Sequence, residues 1–146
     1  MEKNYPKIMY EYNLISTVSG WVGILASPIG ISRLTLPQES PNQALDHLNI
    51  FKVPSIKSTL RIAFLDIERR IQSYFLGENV VFKDVLDVTG TCFQKRAWAI
   101  VRMIPRGETR SYGWVARRIG RPGAARAVGQ AMRSNPVPII VPCHRV

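Results

Sequence analysis

Apolar residues crowd two short runs, Trp21–Ala26 and Ile31–Leu36, on either side of Ser27-Pro28-Ile29-Gly30. Runs of this composition bounded by Pro and Gly predict two strands joined in a hairpin. Residues 37–54 read as loop with a short helix. From Ser58 onward the spacing changes: Leu60, Ala63, Phe64, Ile67, Ile71, Tyr74 and Phe75 recur at helical intervals, and Gly77 is placed to end the helix. Val80-Val81-Phe82 is expected to form a short strand, followed by a linker over 83–90.

A different pattern then begins. Thr91 and Gln94 have the spacing of a capping box ahead of Phe93, Ala97, Trp98, Ile100 and Val101, and Pro105-Arg106-Gly107 closes that helix. Ser111 can cap a second helix over 112–119, which stops at Gly120-Arg121-Pro122 before a third over 123–132. Two short helices across a tight glycine-containing turn form a helix-turn-helix pattern. The chain therefore divides into an α/β domain over 1–88 and a mainly helical domain over 89–146.

Charge sharpens that division. The net charge of +10 is not spread evenly. Residues 1–91 carry nine basic and nine acidic groups, whereas 92–146 carry eleven basic groups, ten of them arginine, against the single acid Glu108. Arginine in such excess suits a polyanion, because a planar guanidinium holds two phosphate oxygens at once; a basic face serving only solubility is the alternative. No apolar run approaches a membrane span, and the start MEKNYPKIMYEYN lacks the layout of a secretory signal. An intracellular protein is expected. Two distant cysteines, Cys92 and Cys143, suggest free thiols rather than a disulfide framework.

The third helix exposes little side chain, since Ala124, Ala125, Ala127, Gly129 and Ala131 are small and Arg126 alone stands out among them. A surface this smooth suits the narrow minor groove better than base reading in the major groove; close helix packing in a core is the competing explanation. Asn135-Pro136-Val137-Pro138 forbids helix, and Ile139-Ile140-Val141 reads as a buried strand leading to Pro142-Cys143-His144. In a strand, Cys143 and His144 would point to opposite faces, so a bridging water would have to link them. A histidine near a thiol favours thiolate, the form that attacks carbon. An inert buried cysteine is the alternative.

The runs Arg126-Ala127-Val128-Gly129, Asn135-Pro136-Val137-Pro138-Ile139 and Pro142-Cys143-His144-Arg145-Val146 resemble the O6-alkylguanine-DNA alkyltransferases, the methylated-DNA–protein-cysteine methyltransferases. Ile104-Pro105-Arg106-Gly107-Glu108-Thr109, Ser111-Tyr112-Gly113 and Phe93-Gln94 extend the likeness. Trp21 and Tyr74-Phe75-Leu76-Gly77 match more loosely.

The resemblance implies a ribonuclease-H-like α/β domain joined to a winged-helix-like domain whose second helix enters the minor groove. The alkylated guanine would be flipped out of the duplex to be reached. Arg126 would fill its place, Tyr112 would assist flipping and contact the base, and Asn135 would organise the turn before the reactive segment. Ala125, Ala127 and Gly129 would border the DNA. Cys143 would take the alkyl group as a thioether, once per molecule, with His144 as base through water, and O4-alkylthymine would be a second substrate.

No cofactor is implied, because the protein is itself the acceptor, and no metal: Cys92, Cys143, His47 and His144 lack ligand spacing, and the N-terminal cysteines of zinc-bearing relatives are missing. Cys92 falls where relatives have proline and reads as structural. Relatives continue past Val146 into a loop closing over the base and a helix whose glutamate orients the histidine, so the sequence reads as a fragment or a truncated relative.

A monomer acting on double-stranded DNA is expected, cytoplasmic and nucleoid-associated in a prokaryote or nuclear in a eukaryote. Two other classes fit the resemblance less well. Damage-binding alkyltransferase-like proteins replace the reactive cysteine, and a helix-turn-helix regulator would carry base-reading polar residues where this helix carries alanine.

Overall fold

In a computed structural model, which describes residues 9–53, 56–58 and 62–146, the chain forms two compact units, 1–87 and 88–146. In the first, β1 (Tyr10–Thr17), β2 (Gly20–Ala26) and β3 (Ile31–Leu34) make an antiparallel meander. A short β4 (Ile56–Ser58) pairs parallel to β1, giving the order β3-β2-β1-β4. The hairpin expected from the sequence is β2–β3.

Val22, Gly23, Ile24 and Leu25 are all buried, although alternate residues of a strand face opposite sides. Both faces of β2 are therefore covered, which explains its unbroken apolar run. Helix α1 (Pro41–Leu48), capped by Ser40, lies so close over Gly23 that a Cβ there would sit 2.8 Å from Leu48 Cγ. Helix α2 (Ile62–Phe75) buries Phe64, Ile67 and Ile71 and packs on β1. A cleft of about 290 Å³ lies between Ile24, Phe64 and Ile67.

Two expectations change in this unit, and one strand was not anticipated. β1 carries no clear alternation and does not stand out in the sequence; only Glu11 and Ile15 within it are buried. Residues 80–82 form no strand; pairing falls instead on Leu86, because Ile31 donates to Val85 O (2.9 Å) and Asp87 donates to Ile31 O (2.8 Å). Ser58 belongs to β4 rather than to the helix, and Leu60 lies outside the described residues.

The second unit is three helices: α3 (Cys92–Val101), α4 (Tyr112–Ile119) and α5 (Ala125–Arg133), each packed on the other two. Both halves of the α3 capping box form, Gln94 N donating to Thr91 Oγ1 (3.1 Å) and Thr91 N to Gln94 Oε1 (2.8 Å). Ala97, Trp98 and Val101 meet Val115 and Ala116 from α4 and Val128, Ala131 and Met132 from α5 in the core.

The buried indole of Trp98 donates to Ala131 O (2.8 Å), tying α3 to α5. Trp98→Phe keeps most of the apolar contact but leaves that carbonyl without its indole donor, a loss of about 1–3 kcal/mol. Denaturant unfolding followed on this unit should register it as a lower midpoint with an unchanged slope.

Candidate functional site

Helices α4 and α5 are the helix-turn-helix pair. Tyr112 opens α4 directly after Ser111, whose hydroxyl accepts from Trp114 N (3.1 Å). Its ring lies against the backbone of α5: a Cβ built on Gly129 would be 3.3 Å from Tyr112 Cε2. The missing side chain at Gly129 is thus what seats the tyrosine, which stays 43% exposed. Arg126 lies one turn before Gly129 on the same face of α5 and is exposed.

The small residues of α5 serve both core packing and a smooth outer surface. Ala131 is buried beside Val128 and Met132, while Ala127 is exposed and Ala125 half-buried on the outer surface. Ala124 caps α5 without a side-chain hydrogen bond, leaving no side chain on its leading amides.

One arrangement was not anticipated from the sequence. The guanidinium groups of Arg110 and Arg118 stand over the Trp114 ring, 5.3 and 4.9 Å from its centroid, and Arg110 also pairs with Glu108. The spacing of four between these residues was the available signal.

The segment after α5 departs from its expected form. Ile139-Ile140-Val141 is not a strand but a turn, in which Val141 N donates to Val137 O (3.0 Å) and Pro138 bridges to Val141. Ile139, Ile140 and Val141 are buried as expected. Burial of their side chains and local hydrogen bonding, rather than strand pairing, fix this path.

Asn135 closes the turn from both sides: its Oδ1 accepts from Val137 N (3.0 Å) and its Nδ2 donates to Val141 O (2.9 Å). Cys143 N donates to the same Val141 carbonyl (2.8 Å). The segment ends as a 3₁₀ turn over Cys143–Arg145, so Cys143 and His144 do not alternate across a strand. Arg145 anchors this turn, donating to Ile104 O (2.7 Å) and accepting at its carbonyl from Arg110 N (2.8 Å). Cys143 is half-buried.

Cys92, read as structural, is exposed at the first position of α3. Among the described residues no three His, Cys, Asp or Glu side chains gather as a metal site would require, and no helix is long and apolar enough to cross a membrane.

His144 is exposed on this turn, and its imidazole is held below its ordinary value of 6.5, first by the part of the ring that the chain shields from water and then by the neighbouring Arg145 charge. Both disfavour the protonated ring, so His144 remains able to accept a proton at pH values where an ordinary histidine is already charged. With His47 replaced by Gln, the remaining imidazole should titrate below 6.5 by proton NMR. Arg145→Gln should move that midpoint upward; a downward move would contradict the charge effect.

The geometry defines a class: a helix-turn-helix unit with an exposed arginine and a seated tyrosine on one face, and a cysteine carried on a turn clamped to the end of its second helix. Comparison with known proteins narrows it. Residues 92–146 match the family model described as 6-O-methylguanine DNA methyltransferase, DNA binding domain.

The chain is 41% identical over 132 residues to the methylated-DNA–protein-cysteine methyltransferase of Methanosarcina acetivorans, covering 86% of this chain and 82% of that protein. It is 54% identical over 84 residues to the Mycobacterium leprae protein of the same name, covering 58% of this chain and spanning about half, 51%, of that relative's length. Mycobacterium tuberculosis OGT, solved in complex with DNA, superposes with a TM-score of 0.71 at 37% identity, covering 94% of this chain and 77% of that one. The chain belongs to the methylated-DNA–protein-cysteine methyltransferase family.

Proposed function

We propose that this chain repairs double-stranded DNA by moving the alkyl group of O6-alkylguanine, and of O4-alkylthymine, onto its own Cys143. The observation that carries the reading is the Asn135 clamp. Asn135 N donates to Met132 O of α5 (3.2 Å) while its side chain bonds Val137 and Val141, so the Cys143 turn is joined by hydrogen bonds to the end of that helix. The family's names and the DNA complex of the mycobacterial relative support DNA as the partner.

Each residue then has a part. The smooth outer face of α5, with Ala125, Ala127 and Gly129, enters the minor groove, and its leading amides face phosphate. Arg126 occupies the gap in the stack left by the flipped base, while Tyr112 contacts that base. His144 takes the Cys143 proton through a water molecule.

The thiolate sulfur attacks the alkyl carbon, a carbon–sulfur bond forms as the carbon–O6 bond breaks, and the electron pair returns to the base. A proton relayed from the histidine then restores guanine. The thioether has no easy leaving group, so each monomer reacts once. The antiparallel meander with β4 parallel to β1 supports a ribonuclease-H-like first domain, and α3–α5 support a winged-helix-like second one.

The test is intact mass after incubation with a duplex containing one O6-methylguanine. One added methyl group is expected per protein molecule, with the modified base converted to guanine. Binding with no mass change would reject transfer and leave a damage-binding protein.

A further inference from the structure

Ile139 has a backbone φ of 76°, inside the left-handed region, and only 6% of its surface is exposed. That conformation suits glycine or asparagine and is a marked outlier for a β-branched residue, whose Cβ crowds the adjacent carbonyl. Such a state persists only where surrounding bonds over-determine it. Here the Val137–Val141 turn is bonded across itself, Asn135 grips both ends, and Ile140 and Val141 are locked in the core beside Ile139.

The Val141 carbonyl receives both Asn135 Nδ2 (2.9 Å) and Cys143 N (2.8 Å). Relaxing Ile139 to negative φ would re-aim the chain between Pro138 and Ile140 and turn that carbonyl away. Cys143 would move with it.

We propose that Ile139 is a positioning residue for the thiol: its left-handed backbone, held by the Asn135 clamp, sets where Cys143 stands. The proposal rests on the reading of Cys143 as the alkyl acceptor. Because the strain sits in φ, glycine at this position should remove the need for the clamp. Alanine, also small beside isoleucine but still carrying Cβ, should not.

The experiment is a set of variants in a Cys92→Ser protein, whose remaining thiol is Cys143. Asn135→Ala is introduced into three backgrounds: the parent with Ile139, the Ile139→Gly variant and the Ile139→Ala variant. Two rates are read on folded protein: alkyl transfer from O6-methylguanine duplex, and reaction of Cys143 with a small aromatic disulfide.

In the parent and Ile139→Ala backgrounds, Asn135→Ala should change both rates by about tenfold, the factor a left-handed penalty on a non-glycine residue corresponds to. In the Ile139→Gly background the change should shrink to within about threefold, as expected for a residue that occupies the left-handed region freely. Equal responses in the glycine and alanine backgrounds would overturn the proposal, as would an Asn135→Ala protein with unaltered rates. If Asn135→Ala does not fold, Asn135→Asp, which keeps the acceptor to Val137 and loses the donor to Val141, enters the same comparison. Should the parent protein transfer no alkyl group, the acceptor reading fails, and the disulfide rates alone still decide whether φ at residue 139 governs the thiol.

Discussion

Cys143→Ser should lower alkyl transfer by about 10⁴-fold or more while leaving duplex binding within about twofold, because a hydroxyl is a weak nucleophile at its ordinary pKa and a thiol is not. Serine is close in size to cysteine, so the clamp from Asn135 to Val141 and the Arg145 anchor to Ile104 have no reason to shift. The second thiol supplies the control. Cys92 is exposed at the start of α3, so access alone would favour it over half-buried Cys143. Position is what separates them: Cys143 N donates to Val141 O, the carbonyl that Asn135 holds just past α5, whereas Cys92 opens α3.

Cys92→Ser should therefore transfer at the parent rate, and peptide mapping should place the added methyl group on Cys143. A methyl group on Cys92, or substantial transfer by Cys143→Ser, would reject the assignment of the nucleophile.

Local chemistry made much of this protein legible in advance. The Thr91/Gln94 box and the Ser111 cap are short-range devices in which one side chain satisfies a nearby amide, and both helices start where those residues place them. The β2–β3 hairpin was readable for the same reason, its apolar runs being bounded by Pro28 and Gly30. β1 was not, because its pairing with β2 and β4 orders a stretch of Tyr, Asn and Ser that has no strong pattern of its own.

The sharpest miss lies beside Cys143. Ile139-Ile140-Val141 has strand composition, yet Asn135, two residues from Val137 and six from Val141, bonds the segment into a turn and holds isoleucine where its own preference would not take it. Hydrogen bonds of this kind override β-propensity, which expresses packing context more than backbone preference. Resemblance placed Asn135 at this turn; it did not reveal the backbone that the asparagine enforces.

The same distinction between composition and placement governs Arg126. Among ten arginines in residues 92–146, most can serve as phosphate contacts, each contributing to affinity and to its salt dependence. Arg126 differs in location, exposed one turn from Gly129 on the face where the Tyr112 ring meets α5. A side chain there can stand in the duplex where a base has left.

Extrusion of a base costs a few kcal/mol of lost stacking and pairing. If Arg126 offsets roughly half of that, Arg126→Ala should slow transfer from duplex DNA by about 10²-fold, since each 1.4 kcal/mol is a factor of ten. Transfer from a single-stranded oligonucleotide, which has no stack to hold open, should change by less than about threefold. Duplex affinity should fall only modestly and its log–log salt slope by no more than about one, the upper bound set by a single cation on phosphate. Single-turnover rates on the two substrates separate the roles. Equal slowing on duplex and single strand would show that Arg126 acts on the reacting base or on binding, and would remove it from the gap in the stack.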